Sequence, residues 1–272
     1  MPRVAEHVVA RRRRRLEELV GRERYLPVAA VAEKLGVSEA PARRDLAALG
    51  EQQRLTRTFG GAMASGLAEA PTLEEYDAAF ASYGDRAAHM AAAKRKIAKA
   101  VAALVKPKMT LFLDAGTTAG ALADHLPELG PKRLKGVHVV THSLAVAGRL
   151  ASVDAVETHV LGGRLLGRQM VVLGDATRRA TTSFDIDLAC LGVEAVNGEG
   201  AFNSHEDVVS LQRHIAMRAG RCVLMVDSSK LGAEAPERLF RPSEFGLLAT
   251  DAAPAQLAKA GLELDKKQLL LA

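Results

Sequence analysis

The chain has 272 residues, 48% of them hydrophobic and 25% charged, with a formal net charge of +5. That is the composition of a globular protein, long enough for one large domain or two unequal ones. No apolar run approaches about eighteen residues and no apolar h-region follows the charged N-terminus, so neither a membrane span nor a secretory signal is expected.

The charge is unevenly placed. Residues 1–60 hold 13 Lys and Arg against 8 Asp and Glu, whereas residues 61–272 hold 24 of each. A basic module on a neutral body points to a polyanionic partner; the plainer alternative is a solvated helix face centred on Arg11 to Arg15. Leu16, Leu19 and Val20 give the first helix an apolar stripe. Tyr25 to Val28 is short and extended. Ala29 to Leu35 forms a second helix, stopped by a left-handed Gly36, and Ser38 is placed to N-cap a third, Glu39 to Leu49. On that third helix Ala42, Leu46 and Leu49 face inward, so Arg43 and Arg44 point largely outward. Pro41 is tolerated because it stands in the first turn. Two short helices joined by a glycine turn make a helix-turn-helix, whose second helix enters the major groove of DNA. A strand over Arg54 to Thr58, paired with Tyr25 to Val28, would complete a small β-wing.

Leu35-Gly-Val-Ser38, Arg43-Arg-Asp-Leu46 and Arg57-Thr-Phe-Gly-Gly-Ala62, in that order and spacing, resemble the N-terminal signature of the DeoR family of sugar-metabolism regulators. The chain departs from the family pattern at Pro41-Ala42, where a β-branched pair is usual, and at Phe59, where His is usual. The resemblance implies a winged helix-turn-helix over residues 1–62, with Ser38, Arg43, Arg44 and Arg57 as the candidate DNA-binding residues.

Residues 63–88 read as a linker. An amphipathic helix then carries Met90, Ile97, Val101 and Leu104 on one face and Lys94, Arg95, Lys96 and Lys99 on the other, the cations read as solvated surface. From Met109 onward apolar strands alternate with helices. The strands are Met109 to Asp114, Val137 to Thr141, Val156 to Leu161, Leu188 to Val193, Val223 to Asp227 and Leu247 to Thr250. Between most of them lie helical stretches such as Ala119 to His125, Leu144 to Ala151 and Val208 to Ala219. This alternation predicts an α/β domain over residues 89–272 with a mostly parallel sheet, whose ligands bind beyond the C-terminal strand ends. Cys190 and Cys222, too few for a disulfide framework and in no metal-ligand spacing, read as inert core. A cytoplasmic protein without metal or other cofactor is expected.

The strand ends carry the candidate chemistry. Asp114-Ala-Gly-Thr-Thr118 opens a helix where free N–H groups favour an anion, and Thr141, Gly162-Gly163 and Lys230 stand at the ends of later strands. This part of the chain is similar to the DeoR sensor domain, whose fold resembles ribose-5-phosphate isomerase. That resemblance implies an effector pocket formed by Asp114, Gly116, Thr117, Thr118, Thr141, Gly162, Gly163 and Lys230. It also implies a phosphorylated sugar-like effector that releases a repressor, a homodimer or homotetramer, from its operator. Two departures bear on the pocket: Ser210 and Gln212 stand where the family commonly offers Glu and Lys, and His142 replaces an Asn. Glu206 or His205 could restore the lost charge. Two alternatives remain: a sugar-phosphate isomerase with an accessory DNA-binding module, and a regulator whose second domain only oligomerises. An isomerase needs a positioned base, and the expected position offers only Ser210 or Gln212, so no catalytic residue is expected.

Overall fold

A computed structural model of the protein describes residues 6–23, 25–52, 54–58, 61–64 and 82–272. The N-terminal part is built from α1 (Glu6–Glu23), β1 (Tyr25–Pro27), α2 (Val28–Leu35), α3 (Glu39–Glu51), β2 (Leu55–Thr58) and β3 (Gly61–Ala64). It has a core of its own, in which Leu16, Val20, Val31, Ala42, Leu46 and Leu49 are buried. These are the positions that helical periodicity selects. Gly36 is left-handed at φ 63°, and Val37 N–H reaches back to Ala32 O at 3.0 Å, so the α2–α3 turn closes as the sequence predicts. Ser38 holds the N-cap position of α3, but its side chain makes no capping hydrogen bond.

The wing corrects one expectation. Tyr25–Pro27 does not pair with the strand at 55–58. Gly61–Ala64 lies between the two, antiparallel to both, with Leu26 opposite Ala62 and Leu55 opposite Ala64. The diglycine hid this strand, because glycine is depleted from strands while the turn it favours must be followed by a returning strand. Phe59 and Gly60 themselves lie outside the described residues, as does 65–81, the greater part of the segment read as a linker. The rest of that segment includes the end of β3 and a short helix, α4 (Tyr83–Ala88).

After α5 (Ala91–Ala102), strands and helices alternate as predicted: β4 (Thr110–Leu113), α6 (Thr117–His125), α7 (Gly130–Leu134), β5 (Val137–Thr141), α8 (Leu144–Leu150) and β6 (Val156–Val160). A hairpin of β7 (Arg164–Leu166) and β8 (Val171–Leu173) leads to α9 (Asp175–Ala180) and β9 (Leu188–Gly192). The chain continues through β10 (Ala195–Asn197), β11 (Gly200–Asn203), α10 (Glu206–Arg218), β12 (Arg221–Val226), β13 (Glu237–Phe240), β14 (Leu247–Thr250), α11 (Pro254–Lys259) and β15 (Leu269–Leu271). Seven of these strands form one parallel sheet in the order β15-β14-β12-β9-β4-β5-β6. Strand β15 and the small antiparallel sheet β10-β11-β13 were not expected from periodicity, being three or four residues each. Buried residues cover both faces of the large sheet, Phe112 and Val140 on one and Leu111, Leu113 and Val139 on the other, which is why its strands read as continuous apolar runs.

The strand order has a consequence for ligands. From β4 the chain winds outward in one direction through β5 and β6, and in the other through β9, β12, β14 and β15. The order reverses between β4 and β9, so the loops that follow these two strands diverge and leave a crevice above the sheet. Among the described residues no helix is long and apolar enough to cross a membrane.

Cys190 is fully buried on β9 and Cys222 half-buried on β12. Burial pushes both thiols up, Cys222 to about 12, and a thiol without a thiolate is a poor nucleophile. Native protein is therefore expected to leave a thiol reagent at pH 8 essentially unreacted, and unfolded protein to consume two equivalents per chain. Rapid titration of a thiol in the native state would contradict this.

Candidate functional site

The crevice at the reversal point is a pocket whose lining includes Arg86, Lys94, Asp114, Gly116, Thr117, Thr118, His142, Gln169, Glu194, Asn203, Gln212 and Lys230. Asp114 follows β4 and sits at its floor, buried, with both oxygens saturated. Oδ1 accepts from Ala115 N–H and contacts His142 Nε2, each at 2.8 Å. Oδ2 accepts from Gly192 N–H at 2.8 Å and Gln212 Nε2 at 2.7 Å. Burial alone would raise the Asp114 carboxyl, but the bonds from His142, Gly192 and Gln212 outweigh it and hold the group below the usual carboxylate range. A carboxylate with four partners is a fixed anion that orients its neighbours.

The two family departures in this domain meet at that anion. His142 and Gln212 both contact Asp114, from different elements. His142 Nδ1 lies 2.9 Å from Val172 O, which the β7–β8 hairpin supplies. The ring thus bridges Asp114 to the β7–β8 hairpin. Gln212 Nε2 also donates to Gly192 O at 2.7 Å, and its Oε1 accepts from Asn203 Nδ2 at 2.6 Å. Ser210 is exposed on the opposite face of α10 beside Arg213 and Met217, outside the pocket. Neither His205 nor Glu206 supplies the missing charge there: His205 Nδ1 accepts the Asp207 N–H at 3.1 Å as the N-cap of α10, and Glu206 is exposed. Besides Asp114, the pocket's acidic side chain is Glu194, just beyond β9, which accepts a bond from the Ser204 hydroxyl.

Of the eight residues expected around an effector, five line the pocket: Asp114, Gly116, Thr117, Thr118 and Lys230. Gly116 N-caps α6 at φ −68°, and a Cβ there would meet nothing nearer than Gly192 Cα at 3.9 Å. Its missing side chain therefore relieves no clash and leaves room over the helix N-terminus. Thr141, Gly162 and Gly163 are outside the lining, with structural duties. Thr141 Oγ1 donates to Leu113 O at 2.7 Å, tying β5 to β4. Gly163 has φ 153°, and a Cβ would fall 2.1 Å from Thr177 Oγ1, which itself donates to Gly162 O at 2.8 Å. That diglycine closes the hairpin onto α9.

Lys94 is the residue the sequence misplaced. It is 3% exposed rather than solvated, with Nζ donating to Arg86 O at 2.6 Å and His89 O at 2.5 Å. Burial lowers its ammonium to about 8, against an opposing pull from Asp227. Lys230, half-buried, is likewise lowered by burial, with Asp227 and Glu194 opposing. The signal was available: Lys94 falls at i−3 and i−7 from the buried Ile97 and Val101, on the core stripe rather than opposite it. Arg86 arrives on α4, whose Tyr83 ring packs under the Arg149 guanidinium at 5.2 Å.

On the other module, Arg43 and Arg44 of α3 are exposed, Arg43 bonded to Glu39 at 2.8 Å. Arg57 lies in β2 opposite Ala62. The arginine run is not one solvated face. Arg12 Nε and Arg13 Nε grip Asp45 at 2.5 and 3.0 Å, and the Asp45 side chain is 2% exposed. Arg11, Arg14 and Arg15 remain exposed, in line with Arg22 one helical face along.

A helix-turn-helix with outward arginines, on a chain whose α/β domain holds a cation-lined pocket at its switch point, defines a DNA-binding regulator with a sensor. Comparison with known proteins agrees. Residues 89–252 match the DeoR C-terminal sensor domain and residues 12–65 the DeoR-like helix-turn-helix domain. The chain belongs to the DeoR family of transcriptional regulators. It is 31% identical over 235 residues to the transcriptional repressor GlcR of Bacillus subtilis, covering 85% of each chain. It is 32% identical over 241 residues to the glycerol-3-phosphate regulon repressor of Escherichia coli K12, covering 87% of this chain and 88% of that one. Among solved structures, the ribose 5-phosphate isomerase of Methanocaldococcus jannaschii is similar at 20% identity and TM-score 0.37, over 51% of this chain and 53% of that one.

Proposed function

We infer that this regulator represses a carbohydrate-metabolism operon and is released by a small phosphorylated sugar-like effector. The observation that carries the reading is the cluster of Lys94, Lys230 and Arg86 around the N-terminus of α6, in a pocket whose other wall is polar. Ammonium and guanidinium groups with free helix N–H groups suit a phosphate, while Glu194, Asn203 and Gln212 offer acceptors and donors for hydroxyls. Gly116, Thr117, Thr118 and Lys230 receive the phosphate, and Asp114 fixes His142 and Gln212 rather than gripping the effector. The resemblance to the repressor GlcR and to a repressor of the glycerol-3-phosphate regulon supports the same class. Residues 1–62 bind DNA, 63–88 connect, and 89–272 sense; a homodimer or homotetramer places recognition helices in successive major grooves. An isomerase would need a base where this chain presents the amide of Gln212 and an outward Ser210.

Ser38, Arg43, Arg44 and Arg57 contact the operator, with Arg11, Arg14 and Arg15 adding salt-sensitive attraction to phosphates. Arg43→Ala and Arg44→Ala are each expected to weaken operator binding by about 1–3 kcal/mol, roughly 5- to 150-fold, without changing the melting temperature. The test is fluorescence anisotropy on DNA from upstream of the protein's own gene, with competitor DNA and a panel of sugar phosphates. Competitor-resistant binding relieved by one sugar phosphate supports the proposal. Specific binding that no compound alters defeats the sensor half of it.

A further inference from the structure

At the β6 edge of the same sheet three ligand-type side chains converge. His138 is the second residue of β5 and Glu157 the second of β6, directly opposite one another in the parallel register, and His159 lies two residues on, opposite Val140. Period-two alternation puts all three on one face. Their donor atoms all lie within 4.8 Å of one another. His138 Nδ1 is 3.4 Å from one Glu157 oxygen and His159 Nε2 is 3.1 Å from the other. Ligand atoms about 2.1 Å from a tetrahedral ion stand roughly 3.4 Å apart, a spacing the three residues approach with one ligand atom each within 4.8 Å of the others. The rings are held: His138 and His159 stack at 5.9 Å between centroids, and Phe184 packs against His159 at 5.1 Å. Among the described residues this is the one group of three or more such side chains placed to share an ion.

The geometry points to a divalent transition-metal site of the zinc class at His138, Glu157 and His159. Two imidazoles and one carboxylate suit Zn2+, Co2+ or Ni2+ far better than Ca2+ or Mg2+, which prefer all-oxygen shells. All three side chains are partly exposed, with accessibilities of 41%, 63% and 35%, so water completes the shell and the ion enters without opening the fold. Strand β6 ends the sheet order, with hydrogen-bonded support from β5 alone within the sheet. An ion bound across the two strands clasps that edge, and none of the three residues lines the effector pocket.

The test uses the full-length, untagged protein stripped with a chelator and titrated with Zn2+ by calorimetry, with Co2+ as a spectroscopic probe. One ion per chain in the micromolar range is expected, with a rise in the melting temperature and visible d–d bands from Co2+. His138→Ala and His159→Ala should each lower zinc affinity on the order of tenfold or more and erase the bands, and Glu157→Gln should do the same while preserving size. Circular dichroism checks that each variant folds. Zinc affinity unchanged in all three variants places the ion on other histidines and overturns the proposal. So does the absence of saturable binding by wild-type protein below about millimolar zinc.

Discussion

Asp45→Ala is expected to abolish operator binding while leaving the sensor domain folded and able to bind its effector. Asp45 sits on α3 next to Arg44, yet its side chain turns inward to Arg12 and Arg13 of α1. The clamp fixes the recognition helix against the helix that carries the remaining arginines. Removing the carboxylate leaves two partly buried guanidiniums without their shared partner, at a cost of about 3 kcal/mol. A module of this size has only roughly 3–8 kcal/mol of stability in total, so a large share of it is lost. The two domains have separate cores, so thermal melts should show the loss in the N-terminal transition alone. Wild-type operator affinity together with an unchanged melt would remove the clamp from the account. Asp45→Asn, which keeps the shape and one acceptor, should fall between.

The second large effect concerns Lys94. Lys94→Met is expected to weaken effector binding by about 1.5–3 kcal/mol, roughly 10- to 100-fold, through the loss of a charge-assisted hydrogen bond, with operator affinity in the absence of effector unchanged. The wild-type protein should also show a pH dependence of defined sign. With its ammonium lowered to about 8, Lys94 is charged at pH 7 and mostly neutral at pH 9, so affinity for a phosphate dianion falls across that interval, by at most roughly tenfold per unit above pH 8. Folding stability runs the other way. The unfolded chain, with Lys94 at its ordinary 10.5, binds more protons than the folded one between pH 8 and 10.5, so this group makes stability rise with pH in that window. Lys94→Arg keeps the charge at all these pH values and should flatten the binding profile. Calorimetric titration with the effector at pH 7, 8 and 9 decides it; a flat wild-type profile would take Lys94 out of the binding step.

Both predictions rest on residues whose type was plain in the sequence and whose partners were not. Arg12 and Arg13 belong to a run of five that local pattern reads as solvent-facing, and their partner is more than thirty residues away. Lys94 was grouped with Arg95, Lys96 and Lys99 because they are neighbours in sequence, whereas a helix sorts residues at 100° intervals and sends Lys94 to the buried face. In the sequence His142 and Gln212 are two separate departures from the family pattern, seventy residues apart. The fold brings them to one carboxylate.

What the sequence determined by itself is what short-range physics controls. Periodicity fixed the recognition helix and the residues it buries; Gly36 fixed the turn before it; continuous apolar runs fixed the six main strands and their burial on both faces. Motif order identified the family. What only the tertiary structure decided is what depends on contacts between distant segments. The strand order put the switch point between β4 and β9, so that Asp114 and Gly192 meet, and it separated Gly162 and Gly163 from the pocket although they too end a strand region. The wing needed a third strand because the hydrogen-bonding groups of Tyr25–Pro27 are satisfied by Gly61–Ala64 rather than by Leu55–Thr58. Strand pairing and buried charge pairing are nonlocal choices, made by which partner satisfies a desolvated group, and a local pattern carries the need for a partner without naming it.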